Sequence, residues 1–325
     1  VIRERRVTKK FGQIRPPFGK LENGRFLRCS SLTCLKTRLR RRASKSPHFR
    51  ASQLDDNLNP ALLGAETGVK MKLQFLNHEI SNIHSAAFLL GAAGLCSRIL
   101  GVLRDRLLAG KFGAGQELDI YYAAFQIPDF MMVAFLLGAG SAAILPIFQE
   151  KLSKSKSDAH CLISDLSTFF FLGSVVFSLI IFFLTPTIVG VMVPGFPEEA
   201  QGLTVILSRL MLVSTIFFGL SGILSSVIQS FGRFWVYALA PILYNLGIIF
   251  GILFLVPFLG VKGLAAGVVL GSILHFTIQF FSVKALGFAP RFAWHGITDS
   301  VKEVMRLSFP RVLSISVSQL TVILL

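Results

Sequence analysis

Residues 163–193 read ISDLSTFFFLGSVVFSLIIFFLTPTIVGVMV, and this stretch decides the fold class. Asp165 is its one charged residue. An α-helix rises about 1.5 Å per residue, so about 20 apolar residues cross the ~30 Å hydrocarbon core of a bilayer. The stretch is therefore predicted to be a transmembrane helix.

Similar apolar runs precede and follow this stretch. We predict spans near residues 81–103, 120–148, 163–193, 203–230, 234–257 and 261–285, and an interrupted one that begins near residue 304. The whole chain agrees with this, because 53% of its 325 residues are hydrophobic and only 15% are charged, with a mean hydropathy of +0.65. A soluble domain carries nearer 25% charged residues. The sequence predicts an all-α polytopic membrane protein.

The positive charge is concentrated at the start of the chain. Residues 1–80 hold 18 Lys and Arg against 6 Asp and Glu, whereas residues 81–325 hold 15 against 11. The segment 1–70 has no apolar run long enough to span, so we expect it to be disordered. Three interpretations compete: a contact for nucleic acid or anionic lipid, an organelle transit peptide, or upstream sequence outside the mature protein. The chain begins at Val1 and has Met71 just ahead of the first span, which favours the third.

Three regions follow from these patterns. Residues 1–70 form the basic segment, residues 71–286 a first transmembrane lobe of six spans, and residues 287–325 an inter-lobe loop with the start of a seventh span, which looks cut inside the membrane. We predict a cytoplasmic N-terminus from the positive-inside bias, since basic residues recur in alternate connections. These residues are Lys151, Lys154 and Lys156 after span two, Arg233 after span four, and Lys284, Arg291, Lys302 and Arg306 after span six. The 104–118 loop, which is also basic, breaks the alternation.

Motifs for catalysis and for metal binding are absent from the sequence. There is no HExxH motif, no phosphate-binding loop and no nucleophile elbow, and the six histidines and four cysteines (Cys29, Cys34, Cys96 and Cys161) have no metal-ligand spacing. We therefore expect neither an enzyme nor a cofactor. Small-xxx-small steps at Gly247, Gly251, Gly263, Gly267 and Gly271 predict closely packed helices instead.

One charge lies inside the first apolar run. At about 100° per residue, Gly94, Arg98, Gly101 and Asp105 share one face of a helix. An arginine in hydrocarbon costs a few kcal/mol or more, so Arg98 must face an aqueous cavity, a carboxylate such as Asp105 or Asp119, or the membrane interface. Cationic groups that face a cavity predict an anionic substrate, and phosphate is the anion that arginine binds best.

The stretch Ser97–Asp105, which reads SRILGVLRD, resembles the first-span signature of the MurJ/MviN family of lipid II flippases. The similarity continues through Phe112–Gly115, Asp119–Phe125 and Ile127–Asp129, and it covers roughly residues 75–325. The resemblance implies a two-lobed, 14-helix transporter of the multidrug/oligosaccharidyl-lipid/polysaccharide exporter superfamily. Such a protein works by alternating access in the bacterial plasma membrane.

The resemblance also implies a substrate and its binding residues. The substrate is an undecaprenyl-pyrophosphate-linked peptidoglycan precursor, and the other partners are membrane lipids, with no nucleic acid expected. Arg98 and Arg104 match the arginines that engage the pyrophosphate in a cationic central cavity. Asp105 and Asp119 match acidic positions that pair with or orient them, and Ser97, which begins the motif, is placed in the same substrate-binding set.

Three positions depart from the family pattern. Met132, Val133 and Leu137 stand in the segment where well-known members carry Arg and then Glu, which leaves the cargo open. One alternative is a polysaccharide-lipid flippase or drug exporter of the same superfamily. Another is a non-transporting membrane scaffold whose basic tail binds nucleic acid or anionic lipid.

Overall fold

The computed structural model describes residues 82–133, 141–292 and 297–324, and within these ranges every regular element is helical. The helices are α1 (Ile83–Phe112), α2 (Gln116–Met132), α3 (Ser141–Lys154), α4 (Lys156–Met192), α5 (Glu198–Ser230), α6 (Phe234–Phe250), a π-helical turn (Gly251–Leu255), α7 (Val256–Leu259), α8 (Lys262–Ala285) and α9 (Asp299–Leu324). The predicted disordered segment 1–70 and the departure at Leu137 lie outside the described residues.

Five helical stretches in the described residues are long and apolar enough to cross a membrane. They are His84–Phe112, Lys156–Met192, Glu198–Ser230, Phe234–Leu259 and Lys262–Ala285, in agreement with predicted spans one, three, four, five and six. The second predicted span, 120–148, falls on α2 and α3, which are 17 and 14 residues long. The predicted seventh span, from about residue 304, falls on α9, which is not among these five stretches. The protein is an all-α, multi-pass membrane protein.

The prediction that the first helix ends at residue 103 is wrong. α1 continues to Phe112, so the cations expected in a 104–118 loop lie on a helix. The reason is that Leu108 is fully buried in the apolar cluster that also contains Ile248 and Ile252, and the helix ends only at Gly113, which has φ +63°. Arg104, Arg106 and Lys111 therefore belong to the end of α1 and not to a loop.

The connections between helices gather at two ends of the bundle. At one end, Phe288 has its ring centroid 5.4 Å from those of Phe148 and Phe231, which joins the connections that follow α3, α5 and α8. At the other end, Phe112 and Phe196 pack against the cluster that contains Val261. α2 begins close to the end that contains Phe112, and Phe148 of α3 lies at the other end.

α6 and α8 form an antiparallel pair with almost no space between their backbones. Gly247 lies against Gly271 and Gly251 against Gly267, while Gly263 contacts the π-helical turn. A Cβ atom added to Gly267 would lie 2.8 Å from the Cα of Gly251. The close packing predicted from the glycine spacing is confirmed.

α5 lies at the centre of the bundle, packed against α2, α4 and α8. Its serine and threonine hydroxyls form buried hydrogen bonds to neighbouring helices, which stabilise contacts in an apolar surrounding. These are Thr215 with Ser178 (3.0 Å), Ser221 with the Nδ1 atom of His275 (3.1 Å), and Ser225, which donates to Oε1 of Gln279 (2.9 Å).

Candidate substrate site on the first helix

The motif Ser97–Asp105 places polar side chains on two neighbouring faces of α1. Ser97 and Arg104 are seven residues apart, which is close to two helical turns, so they lie on the same side and both reach α6. Arg98 and Asp105 are also seven residues apart, so they share the neighbouring face of the helix, and both are exposed. The helix thus presents one polar face to its neighbour and one charged face that is open.

Asn245 on α6 joins the two ends of the motif. The Nη1 atom of Arg104 donates to Oδ1 of Asn245 at 3.4 Å, and the Nδ2 atom of Asn245 donates to Oγ of Ser97 at 3.1 Å. Asn245 Nδ2 also contacts the carbonyls of Ser97 and Pro241, and the residue is only 9% exposed. Because an arginine can only donate, the amide oxygen must point to Arg104, which determines the orientation of the amide.

Arg104 is also paired with its neighbour Asp105. Both Nε and Nη2 of Arg104 lie 2.9 Å from Oδ1 of Asp105. Together with the bond to Asn245, these contacts use three of the five N–H groups of the guanidinium. Among the described residues, the other two N–H groups have no hydrogen-bond partner. The Arg104 side chain is 24% exposed. It is therefore held in place and still accessible.

The other two predicted site residues are open to the surroundings. Within the described ranges, Arg98 makes no hydrogen bond or ion pair. Asp119 is exposed in the first turn of α2, where the positive end of the helix dipole favours a carboxylate, and no contact joins it to either arginine in the same ranges. The structure therefore brings Ser97, Arg104 and Asp105 together, and the place of Arg98 and Asp119 in the site stays a prediction.

Asn245 was not predicted as a site residue, although the sequence around it contains a signal. It stands in the run Ile242–Phe250, which is otherwise almost wholly apolar, and a buried amide in such a run needs hydrogen-bond partners. Its partner Arg104 lies 141 positions earlier in the chain. No three His, Cys, Asp or Glu side chains in the described residues cluster as metal ligands do.

Comparisons with known proteins agree with the fold. A family model described as lipid II flippase MurJ matches residues 108–325. A lipid II flippase MurJ from Burkholderia cenocepacia is 29% identical over 252 residues, which are 75% of this chain and 49% of that protein. A solved structure of lipid II flippase MurJ in an inward closed conformation is 29% identical, with a TM-score of 0.61 over 73% of this chain and 49% of that one.

A more distant structure shares the fold alone. It is a MOP superfamily transporter from Pyrococcus furiosus, 16% identical, with a TM-score of 0.53 over 78% of this chain and 56% of that one. The chain spans about half the length of the curated relatives it matches.

Proposed function

The chain belongs to the lipid II flippase MurJ family, and on that premise we propose that it carries part of the substrate site of a lipid II flippase. Its substrate would be an undecaprenyl-pyrophosphate-linked muropeptide, which crosses the membrane by alternating access through a cationic cavity. The protein would be a transporter and not an enzyme. The observation that carries the proposal is Arg104, held between Asp105 and Asn245 beside the exposed Arg98.

Arg104 is suited to bind a phosphate because its side chain is already ordered. Immobilising an arginine costs about 1.5–2 kcal/mol of side-chain entropy, and the bonds to Asp105 and Asn245 have met that cost before the substrate arrives. The two remaining N–H groups can then form charge-assisted hydrogen bonds, which are shorter and stronger than neutral ones. Asp105 also balances the charge of Arg104, which stabilises the guanidinium.

Arg98 would supply the uncompensated positive charge. It lies about 9 Å from Arg104 along the helix axis and on the neighbouring face of α1, so both long side chains would extend towards a pyrophosphate that lies between them. Ser97 would act on the substrate through Asn245, which it holds in place. Asp119, at the start of α2, remains a proposed member of the site that would orient an arginine when the substrate is bound.

The departures at Met132 and Val133 support a second cargo. Both side chains are half-buried near the end of α2 and neither carries a charge, whereas the family resemblance places Arg and Glu in this segment. A site that lacks these charges would select less strongly for the charged peptide of lipid II. A polysaccharide linked to the same pyrophosphate lipid is therefore the alternative, and it would use the same two arginines.

We also propose the orientation of the bundle. The end that contains Phe148, Phe231 and Phe288 also carries the basic residues between α3 and α4 and after α8, so it would face the cytoplasm. The N-terminus of α1 lies at this end, since α1 reaches the opposite end at Phe112. The membrane would be the bacterial plasma membrane.

The test uses the intact protein encoded by the gene, expressed in bacteria depleted of their own lipid II flippase. Arg98→Ala and Arg104→Ala should each abolish rescue of growth, and flipping of lipid II in reconstituted vesicles should fall at least about tenfold, as expected when a charged hydrogen bond is lost. Arg306→Ala, which removes an exposed arginine from α9, is the matched control and should rescue fully.

Two results would contradict the proposal. If both variants are present in the membrane and rescue growth like the unchanged protein, neither arginine binds the substrate. If the unchanged protein flips a polysaccharide-linked pyrophosphate lipid and not lipid II, the second cargo replaces the first.

A further inference from the structure

A proline inside α4 leaves a backbone carbonyl without its helical partner. Pro186 has no N–H, so the carbonyl of Phe182, four residues earlier, cannot form the usual hydrogen bond. The surrounding face of α4 is apolar and open, with Phe183 69% exposed and Leu184 47% exposed. In hydrocarbon no water is available to satisfy such a carbonyl, so a protein group must do so.

Arg209 on α5 supplies the missing donor. Its Nε atom donates to the carbonyl oxygen of Phe182 at 3.1 Å. The centre of its guanidinium lies 4.3 Å from the centroid of the Phe182 ring, which is the geometry of a cation–π contact. Phe182 thus contacts Arg209 twice, through its backbone carbonyl and through its aromatic ring. An arginine that only anchors a helix at the interface would extend towards the lipid headgroups instead.

The residue next to Arg209 makes the same kind of contact with another helix. Pro128 in α2 releases the carbonyl of Ala124, and the hydroxyl of Ser208 lies 3.1 Å from that oxygen. The same hydroxyl lies 2.9 Å from the carbonyl of Thr204 on its own helix, so its single proton is shared between the two. Adjacent residues of α5 therefore reach two proline-containing helices.

A third proline shows the pattern at the π-helical turn. There the N–H of Val256 bonds to the carbonyl of Gly251, five residues back, as in a π-helix. By the same five-residue spacing, the carbonyl of Ile252 would pair with the N–H of Pro257. That N–H does not exist. The Nζ atom of Lys111 donates to Ile252 at 3.4 Å. Of the six prolines in the described helices, Pro128, Pro186 and Pro257 thus have the released carbonyl beside a side-chain donor from a neighbouring helix.

We propose that Arg209 is a positioning residue which holds α4 at its proline against α5. A proline site with an unpaired carbonyl is a place where a helix bends easily. When the carbonyl is bonded to the next helix, the bend is held, and α2, α4 and α5 move as one body. The inference rests on the proposed function, because alternating access requires such rigid-body movement of a lobe.

The experiment is a double-mutant cycle in the intact protein, reconstituted in lipid nanodiscs. Arg209→Met removes the hydrogen-bond donor and keeps the length of the side chain, whereas Arg209→Lys keeps a charged donor. Pro186→Ala restores the N–H that the Phe182 carbonyl lacks. The readouts are amide hydrogen exchange in residues 183–192 of α4 and flipping of lipid II. Arg306→Met is the control for loss of an exposed arginine.

We expect Arg209→Met to speed exchange in this segment at least about tenfold and to slow flipping, because a charge-assisted hydrogen bond is lost. Arg209→Lys and Arg306→Met should stay close to the unchanged protein. In the Pro186→Ala background, Arg209→Met should change exchange by less than about twofold, since the carbonyl then has an intrahelical donor.

The inference is overturned if Arg209→Met leaves exchange unchanged, or speeds it equally with and without Pro186. Slower flipping with unchanged exchange would instead make Arg209 a substrate contact and would overturn it too. Failure of the proposed function is a separate result: the unchanged protein then flips no lipid II, while the exchange cycle keeps its expected pattern.

Discussion

Replacing Gly267 by Ala tests the packing of α6 against α8 directly. The new Cβ atom would lie 2.8 Å from the Cα of Gly251 and 3.3 Å from the carbonyl oxygen of Ile248. Carbon atoms in contact normally lie about 3.5–4.0 Å apart, so the two helices must separate by about 0.7 Å or more at this point. Both obstructing atoms belong to the backbone, so no side-chain rotation can relieve the clash.

The magnitude follows from two opposing effects. Forcing extra methyl groups into a packed site costs about 1–3 kcal/mol, and the upper end applies here because the obstacle is a helix backbone. Ala is preferred over Gly inside a helix by about 1 kcal/mol, which offsets part of this cost. We expect Gly267→Ala to lower the free energy of unfolding by about 1–2 kcal/mol. The flanking contacts at Gly247 and Gly263 would loosen as the helices separate.

The assay is the free energy of unfolding of the purified protein in mixed micelles, measured by titration with a denaturing detergent. Gly202→Ala is the matched control, because Gly202 lies in helix α5 and a Cβ there meets nothing within 4 Å. This control should leave stability unchanged or raise it by up to about 1 kcal/mol. If Gly267→Ala is as stable as Gly202→Ala, the reasoning about the backbone contact is refuted.

Two further predictions follow from the site and from the orientation of the bundle. Asn245→Leu should slow lipid II flipping about tenfold, because Arg104 loses a partner that orders it. Asn245→Asp keeps an acceptor for Arg104 and should retain most of the rate. Equal rates for the two variants would exclude this role of Asn245. In intact cells, a membrane-impermeant thiol reagent should label Lys262→Cys and not Lys284→Cys, both in a version without native cysteines. Labelling with the opposite preference would reverse the proposed orientation.

Much of the fold was predictable because a membrane imposes a simple length rule. Span 261–285 was predicted from its apolar run, and α8 occupies Lys262–Ala285. The end of α1 was missed because the predicted boundary followed hydropathy, which falls where charged residues begin. Helix formation depends instead on backbone hydrogen bonds and on buried residues such as Leu108, so the helix continued through the charges to Gly113.

The candidate site was half predictable. Arg104 and Asp105 are neighbours in the chain, so the sequence motif contained their pairing. Asn245 could not be assigned to them, since it lies on another helix and hydropathy does not report which helices are neighbours. Asp119, expected to orient the arginines, has no contact with them in the described residues.

The sequence by itself determined which segments cross the membrane, where small residues permit close packing, and which prolines remove a backbone donor. These are local properties, set by side-chain chemistry and by helical periodicity. Tertiary structure alone decided that Gly267 lies against Gly251, that Asn245 joins Ser97 to Arg104, and that Arg209 binds the carbonyl released by Pro186. Those choices depend on which helix faces are adjacent, and adjacency is set by the packing of all helices at once.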